Sequence, residues 1–253
     1  MMKTSLPKYI SFVLLSLLFP GLGAALVSEK ISKETITSAG KKRSYYLYVP
    51  ESVKAPAPLL ITFHGSGRNG LSLVEKWKKL ASEEGLIVAG PDSLNPQVWA
   101  TPGDGPDFLR DLVNELKSKY PVNPKRVYMF GHSGGAVFAL GMSMFESKYF
   151  AATGIHAGAW RDRKEYSLLD LAKRKIPISL VVGDRDPFFP QDAVKTTGEK
   201  LKERGLEVDL TIIKGHNHSY YDRAKEINVM IWEFMKKFEL TEEPQFEQYE
   251  FAK

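Results

Sequence analysis

The chain has 253 residues, 43% of them hydrophobic and 26% charged, the profile of one globular domain with a full core. It contains no cysteine, which excludes disulfides, thiolate nucleophiles, cysteine metal sites and an acylated lipoprotein anchor. The basic residues behind its formal charge of +5 are scattered, with no block of five or more, so nucleic acid is not an expected partner.

In chain order, the first 25 residues read as a leader. Lys3 and Lys8 form a positive segment, Tyr9 to Phe19 is apolar, Pro20 breaks the run, and Gly23-Ala24-Ala25 supplies small residues for cleavage. The apolar stretch is shorter than the roughly 20 residues that cross a bilayer. Export to the periplasm or the medium is expected, with no membrane attachment after cleavage and a folded domain over 26–239. Arg43 to Val49 alternates like an outer antiparallel strand, and Leu59 to Phe63 reads as a buried one. Leu71, Val74, Trp77, Leu80 and Ala81 make a helical stripe. Leu86 to Ala89 predicts a strand, and Phe108, Leu109, Leu112, Val113 and Leu116 predict a helix. Val127 to Phe130 leads into Gly131-His132-Ser133-Gly134-Gly135, with a helix from Gly134 to Phe145. Strands follow at Ala151 to Ile155, Ile178 to Val182 and Val208 to Ile213. Ala193 to Arg204 fills the last gap, and Ile227, Met230, Ile231 and Phe234 give a closing helix. Leu240 to Lys253 is expected to fray.

Strand-helix alternation implies a largely parallel sheet covered on both faces, with its working residues beyond the carboxyl ends of the strands. All five histidines fall on that rim: His64, His132 and His156 follow strands directly, and His216 and His218 follow Ile213. Ser133 sits in G-x-S-x-G between a strand pattern and a helix pattern, where a sharp turn projects its hydroxyl clear of the sheet. Such a serine needs a base to take its proton and a carboxylate to orient that base. After Ser133, the loop Gly183-Asp184-Arg185-Asp186-Pro187 offers two acids and Gly215-His216-Asn217-His218-Ser219 offers two bases, each just past a strand. Asp186, deeper in its loop and followed by Pro187, is preferred over Asp184. Two histidines two apart on a loop point in different directions, so one of them is expected to reach Ser133, and His218 is preferred over His216. Acyl transfer also needs oxyanion donors, expected from the amides of Gly134 and of Ser66 in the turn His64-Gly65-Ser66-Gly67. Trp99, Trp160, Phe188 and Phe189, with His64, His132 and His216, are candidates for contacting substrate.

These residues resemble the α/β-hydrolase superfamily, and more narrowly the exported polyhydroxybutyrate depolymerase and feruloyl or acetylxylan esterase group. The similarity runs from about Ile36 to Phe238. It rests on Phe63-His64-Gly65, Gly90-Pro91-Asp92, Asp107 to Leu112, Pro124 to Tyr128, the serine turn and Gly183-x-x-Asp186-Pro187. The histidine loop departs from the depolymerase form. Gly215-His216-Asn217-His218-Ser219-Tyr220-Tyr221 is instead similar to the Gly-Tyr-Asp-His-Ser-Tyr stretch of S-formylglutathione hydrolases, which puts the base on His218. The resemblance implies the α/β-hydrolase fold, a mostly parallel sheet with helices on both faces, and cleavage of a small or oligomeric ester. No metal and no organic cofactor is expected. A peptidase or thioesterase on the same fold, or a binding protein on a hydrolase scaffold, are the alternative readings.

Overall fold

The central strands of this chain are buried along both faces because helices cover both faces of the sheet. The computed structural model describes residues 28–250, so the expected leader lies outside the described residues. The strands are β1 (Ser28–Ser38), β2 (Lys41–Val49), β3 (Ala57–Phe63) and β4 (Ile87–Pro91), then β5 (Val122–His132), β6 (Thr153–His156), β7 (Ile178–Gly183) and β8 (Val208–Ile213). They form one sheet in the order β1-β2-β4-β3-β5-β6-β7-β8. β1 pairs antiparallel with β2, and β2 antiparallel with β4; the remaining pairs are parallel. Parallel neighbours need crossovers. These are α1 (Leu71–Glu84), α2 (Pro106–Lys119), α3 (Gly134–Phe145), α4 (Arg163–Ser167) with a 3₁₀ turn at Leu168–Leu171, and α5 (Gln191–Glu203). α6 (Tyr220–Met235) closes the chain's last covered layer.

Every residue of β3 is buried, yet its side chains divide by the two-residue period of a strand. Leu59, Ile61 and Phe63 join the core beneath α2, α3 and α5, with Phe108, Leu112, Leu140, Val194 and Leu201. Leu60 joins the opposite core, with Val74 and Trp77 of α1 and Ile227, Ile231 and Trp232 of α6. Burying one such side chain contributes about 1.5–3 kcal/mol. The layers therefore fix where each strand ends, and those ends carry the site.

Two features depart from the sequence reading. β1 and α4 are additional elements. β1 has only Ile31 and Ile36 as apolar residues and is held by its ladder to β2, so its periodicity is weak. The described part of the segment expected to fray, 240–250, packs down. Leu240 is buried and its amide donates to the Lys125 carbonyl at 3.0 Å. Phe246 stacks on Tyr149, and the Glu247 amide donates to Oε2 of Glu146 at 3.1 Å. Glu146, at the end of α3, is fully buried with Oε1 unpartnered, and burial pushes its carboxyl up to about 8.

Candidate active site

β5 ends at His132 and α3 begins at Gly134, so Ser133 alone makes the turn, at φ 56° and ψ −121°. This conformation is uncommon for a residue with a side chain. It is held on both sides: the Ser133 amide donates to the His156 carbonyl at 3.1 Å, and its carbonyl accepts from the amides of Ala136 and Val137. A Cβ on Gly135 would lie 2.1 Å from the Phe63 carbonyl oxygen, so glycine is what lets α3 start against β3.

Two later loops reach this serine. The loop after β8 brings Nε2 of His218 to 2.9 Å from Ser133 Oγ, and the loop after β7 brings Oδ2 of Asp186 to 2.8 Å from His218 Nδ1. A carboxylate only accepts, so Nδ1 carries the ring proton, and Nε2 is left to accept from the serine hydroxyl. Asp186 Oδ1 accepts from the amides of Phe188 and Phe189, both at 2.9 Å. Burial opposes ionisation of Asp186. The bonds from His218 and from the Phe189 and Phe188 amides outweigh it and hold the carboxyl below its ordinary value. Asp184 is exposed and caps the Gly215 amide at 2.7 Å instead.

The turn after β3 places Ser66 opposite the start of α3: a Cβ on Gly134 would sit 2.9 Å from Ser66 Oγ and 3.8 Å from its amide nitrogen. Among the described residues neither the Ser66 nor the Gly134 amide has a hydrogen-bond acceptor. Two hollows flank the pair. One, of about 420 Å³, is lined by Arg68, His132, Phe188, Asn217, His218 and Tyr221 with Ser133 and Ser66. The other, of about 360 Å³, is lined by Val98, Trp99, Val137, Phe138 and Phe189 with Ser66 and Gly134.

The remaining candidates separate. Phe188 is exposed and edge-on to His218, with ring centres 4.9 Å apart, and Trp99, Phe189 and His132 line the hollows. Trp160 does not: it is buried against Tyr166, and its amide donates to Thr197. His64 is also buried, bonded to the Gly65 carbonyl and to Ser93, so it braces the turn. His216 points inward, with its Nε2 3.1 Å from His156 Nε2. Arg68, Asn217, Tyr221, Val98, Val137 and Phe138 escaped the sequence reading. Arg68, Asn217 and Val98 lie on loops, whose side-chain directions follow no period; Tyr221, Val137 and Phe138 lie in the opening turns of helices, beside the hollows. Among the described residues no cluster of three or more His, Asp or Glu is arranged to hold a metal ion.

A model of the dienelactone hydrolase family matches residues 88–239, well over half of the chain. The chain belongs to the dienelactone hydrolase family. Within this dienelactone hydrolase family member, 117 residues are 28% identical to the bifunctional acetylxylan esterase/xylanase XynS20E of Neocallimastix patriciarum, covering 44% of this chain and 17% of that protein. Acetylxylan esterase A of Aspergillus ficuum is 25% identical over 166 residues, covering 59% of this chain and 54% of its own length. The chain thus spans about half or less of these curated relatives. Among solved structures, a ferulic acid esterase superposes with a TM-score of 0.65 at 15% identity, covering 82% of this chain and 98% of that one. S-formylglutathione hydrolase FrmB from Staphylococcus aureus gives 0.65 at 16% identity, covering 80% and 98%. These superpositions establish the α/β-hydrolase fold for this dienelactone hydrolase family member.

Proposed function

We propose that this chain is an exported serine esterase that hydrolyses carboxylic esters through an acyl-enzyme. The observation that carries the reading is His218 bridging Ser133 at 2.9 Å and Asp186 at 2.8 Å. Ser133 Oγ attacks the ester carbonyl while its proton passes to His218 Nε2. Asp186 keeps His218 in the tautomer that can accept it and stabilises the imidazolium that forms. The tetrahedral oxygen takes hydrogen bonds from the Ser66 and Gly134 amides, at the positive end of α3, and one such donor is worth roughly 3–4 kcal/mol of barrier. His218 then gives its proton to the leaving alkoxide. Water, activated by the same imidazole, attacks the acyl-serine, and the proton returns to Ser133.

The leaving oxygen must lie beside His218, which puts the alcohol in the hollow lined by Arg68, Asn217 and Tyr221. The acyl group then extends over Trp99, Phe138 and Phe189. Acetylxylan esterases and a poly(3-hydroxyalkanoate) depolymerase among the relatives support an ester over other acyl compounds. Lys3, Lys8 and the apolar run to Phe19 support export; no helix among the described residues is long and apolar enough to cross a membrane.

Hydrolysis of p-nitrophenyl acetate and butyrate, with Ser133→Ala beside wild type, tests the reading. Equal rates for the two proteins overturn it. Mass spectrometry of the protein recovered outside the cytoplasm, with the first residue near position 26, tests the export.

A further inference from the structure

The proposed reaction uses one of five histidines, and three others are bonded to one another in the protein interior. His132 Nδ1 lies 3.0 Å from His156 Nδ1, and His156 Nε2 lies 3.1 Å from His216 Nε2. His156 is fully buried, and His132 and His216 are 5% and 4% exposed. Burial lowers the proton affinity of all three, His132 to about 3, so the rings are neutral at working pH. A neutral imidazole has one donor and one acceptor. Both bonds must therefore run in the same direction along the chain of rings, and the middle ring must serve both.

The residues this chain joins are the neighbours of the catalytic groups. His132 immediately precedes Ser133, and His156 is its partner across the β5–β6 ladder. The carbonyl of His156 also holds the Ser133 amide. His216 lies two residues before His218, and its carbonyl accepts from the Arg185 amide at 2.9 Å, next to Asp186. A Cβ on Gly183 would be 2.0 Å from that same carbonyl oxygen, so the end of β7 is pressed against His216. The ring of Tyr220 packs over both His132 and His156, at 5.3 and 5.6 Å between centres, which limits ring rotation. One buried imidazole thus joins the nucleophile turn to the base loop, whose His216 carbonyl in turn holds the acid loop.

Resting on the esterase reading, we propose that His156 is a positioning residue for acyl transfer. By bonding His132 on one side and His216 on the other, it fixes the turn that carries Ser133 relative to the loop that carries His218. His156 touches no substrate; it acts by setting the distance between hydroxyl and imidazole. Misplacing reacting groups by about 1 Å costs on the order of 10²-fold in rate.

The test uses His156→Phe, which keeps an aromatic ring and removes both bonds, and His216→Leu, which removes one and decides the matter should the first variant not fold. For both, kcat for p-nitrophenyl butyrate is expected to fall about 10²-fold with KM little changed. The double variant is no worse than either alone, because the residues act as a unit. His216→Gln, whose amide can occupy the Nε2 position, recovers most of the loss. Thermal melts establish that the compared proteins are folded. In ¹⁵N-imidazole NMR of the wild type, scalar coupling across N–H···N bonds is expected for both histidine pairs, and His156→Phe shifts the His218 signals. Folded variants with wild-type kcat, or wild-type protein without these couplings, overturn the proposal. A wild type that hydrolyses no ester defeats the esterase reading, and the couplings together with the His218 signals then decide the positioning separately.

Discussion

Replacing Asp186 by asparagine changes one atom and inverts the proton logic of the site. Oδ1 of Asp186 accepts two backbone amides, from Phe188 and Phe189, whereas Oδ2 faces a single imidazole nitrogen. An asparagine must keep its oxygen toward the two amides, because turning its NH₂ there would oppose donor to donor. Its NH₂ then faces His218 Nδ1, which has to accept, and the ring proton moves to Nε2. That proton points at Ser133 Oγ, 2.9 Å away, so the imidazole can no longer take the serine proton. We predict a fall in kcat of about 10⁴-fold, or about 5.4 kcal/mol of barrier at 1.36 kcal/mol per decade. Stability should change little, since every hydrogen bond has a replacement. Steady-state hydrolysis of p-nitrophenyl butyrate, with a thermal melt of the same preparation, reads both quantities. A general base contributes about 10²–10⁴-fold, so a folded variant within about tenfold of wild type would refute the reasoning.

Three further outcomes follow from the geometry. Glu146 has an ordinary value of 4.5 that burial raises to about 8, so between these limits the folded state keeps a proton that the unfolded chain releases. Stability should fall as pH rises through that window, by up to about 1.4 kcal/mol per unit, and Glu146→Gln should flatten the slope; parallel melting profiles from pH 5 to 9 would contradict this. Gly135→Ala drives a methyl into the Phe63 carbonyl and should cost more than about 3 kcal/mol in denaturant unfolding; a wild-type midpoint would count against the close approach of α3. Phe188 is 62% exposed, so Phe188→Ala should alter stability by less than about 0.5 kcal/mol. The same change should raise KM more than it lowers kcat, and unchanged KM would remove Phe188 from the substrate surface.

Much of the fold was legible because its signals are periodic. β3, β7 and the second half of β5 (Val127 to Phe130) are mostly apolar and buried, α1 and α2 carry clear stripes, and each strand end marks the rim where Ser133, Asp186 and His218 stand. Side-chain direction on loops has no such period. Sequence order alone could not reveal that His64 and His216 turn inward, that Trp160 packs on Tyr166, or that Arg68 and Asn217 border the cleft. The end of the chain misled for another reason. Glutamates suggested a solvated tail, but Leu240 is buried with its amide bonded to the Lys125 carbonyl of β5, and Phe246 stacks on Tyr149 just past α3.

The twisted backbone of Ser133 bears on how the protein ages. A left-handed angle at a residue with a side chain costs of order 1–3 kcal/mol and persists only while its surroundings enforce it. Modest heat or denaturant that relaxes those surroundings lets the serine hydroxyl swing out of line before the rest of the sheet gives way. We therefore expect inactivation to precede loss of secondary structure. Coincident midpoints by rate and by circular dichroism would argue that the turn is no weaker than the body it sits on.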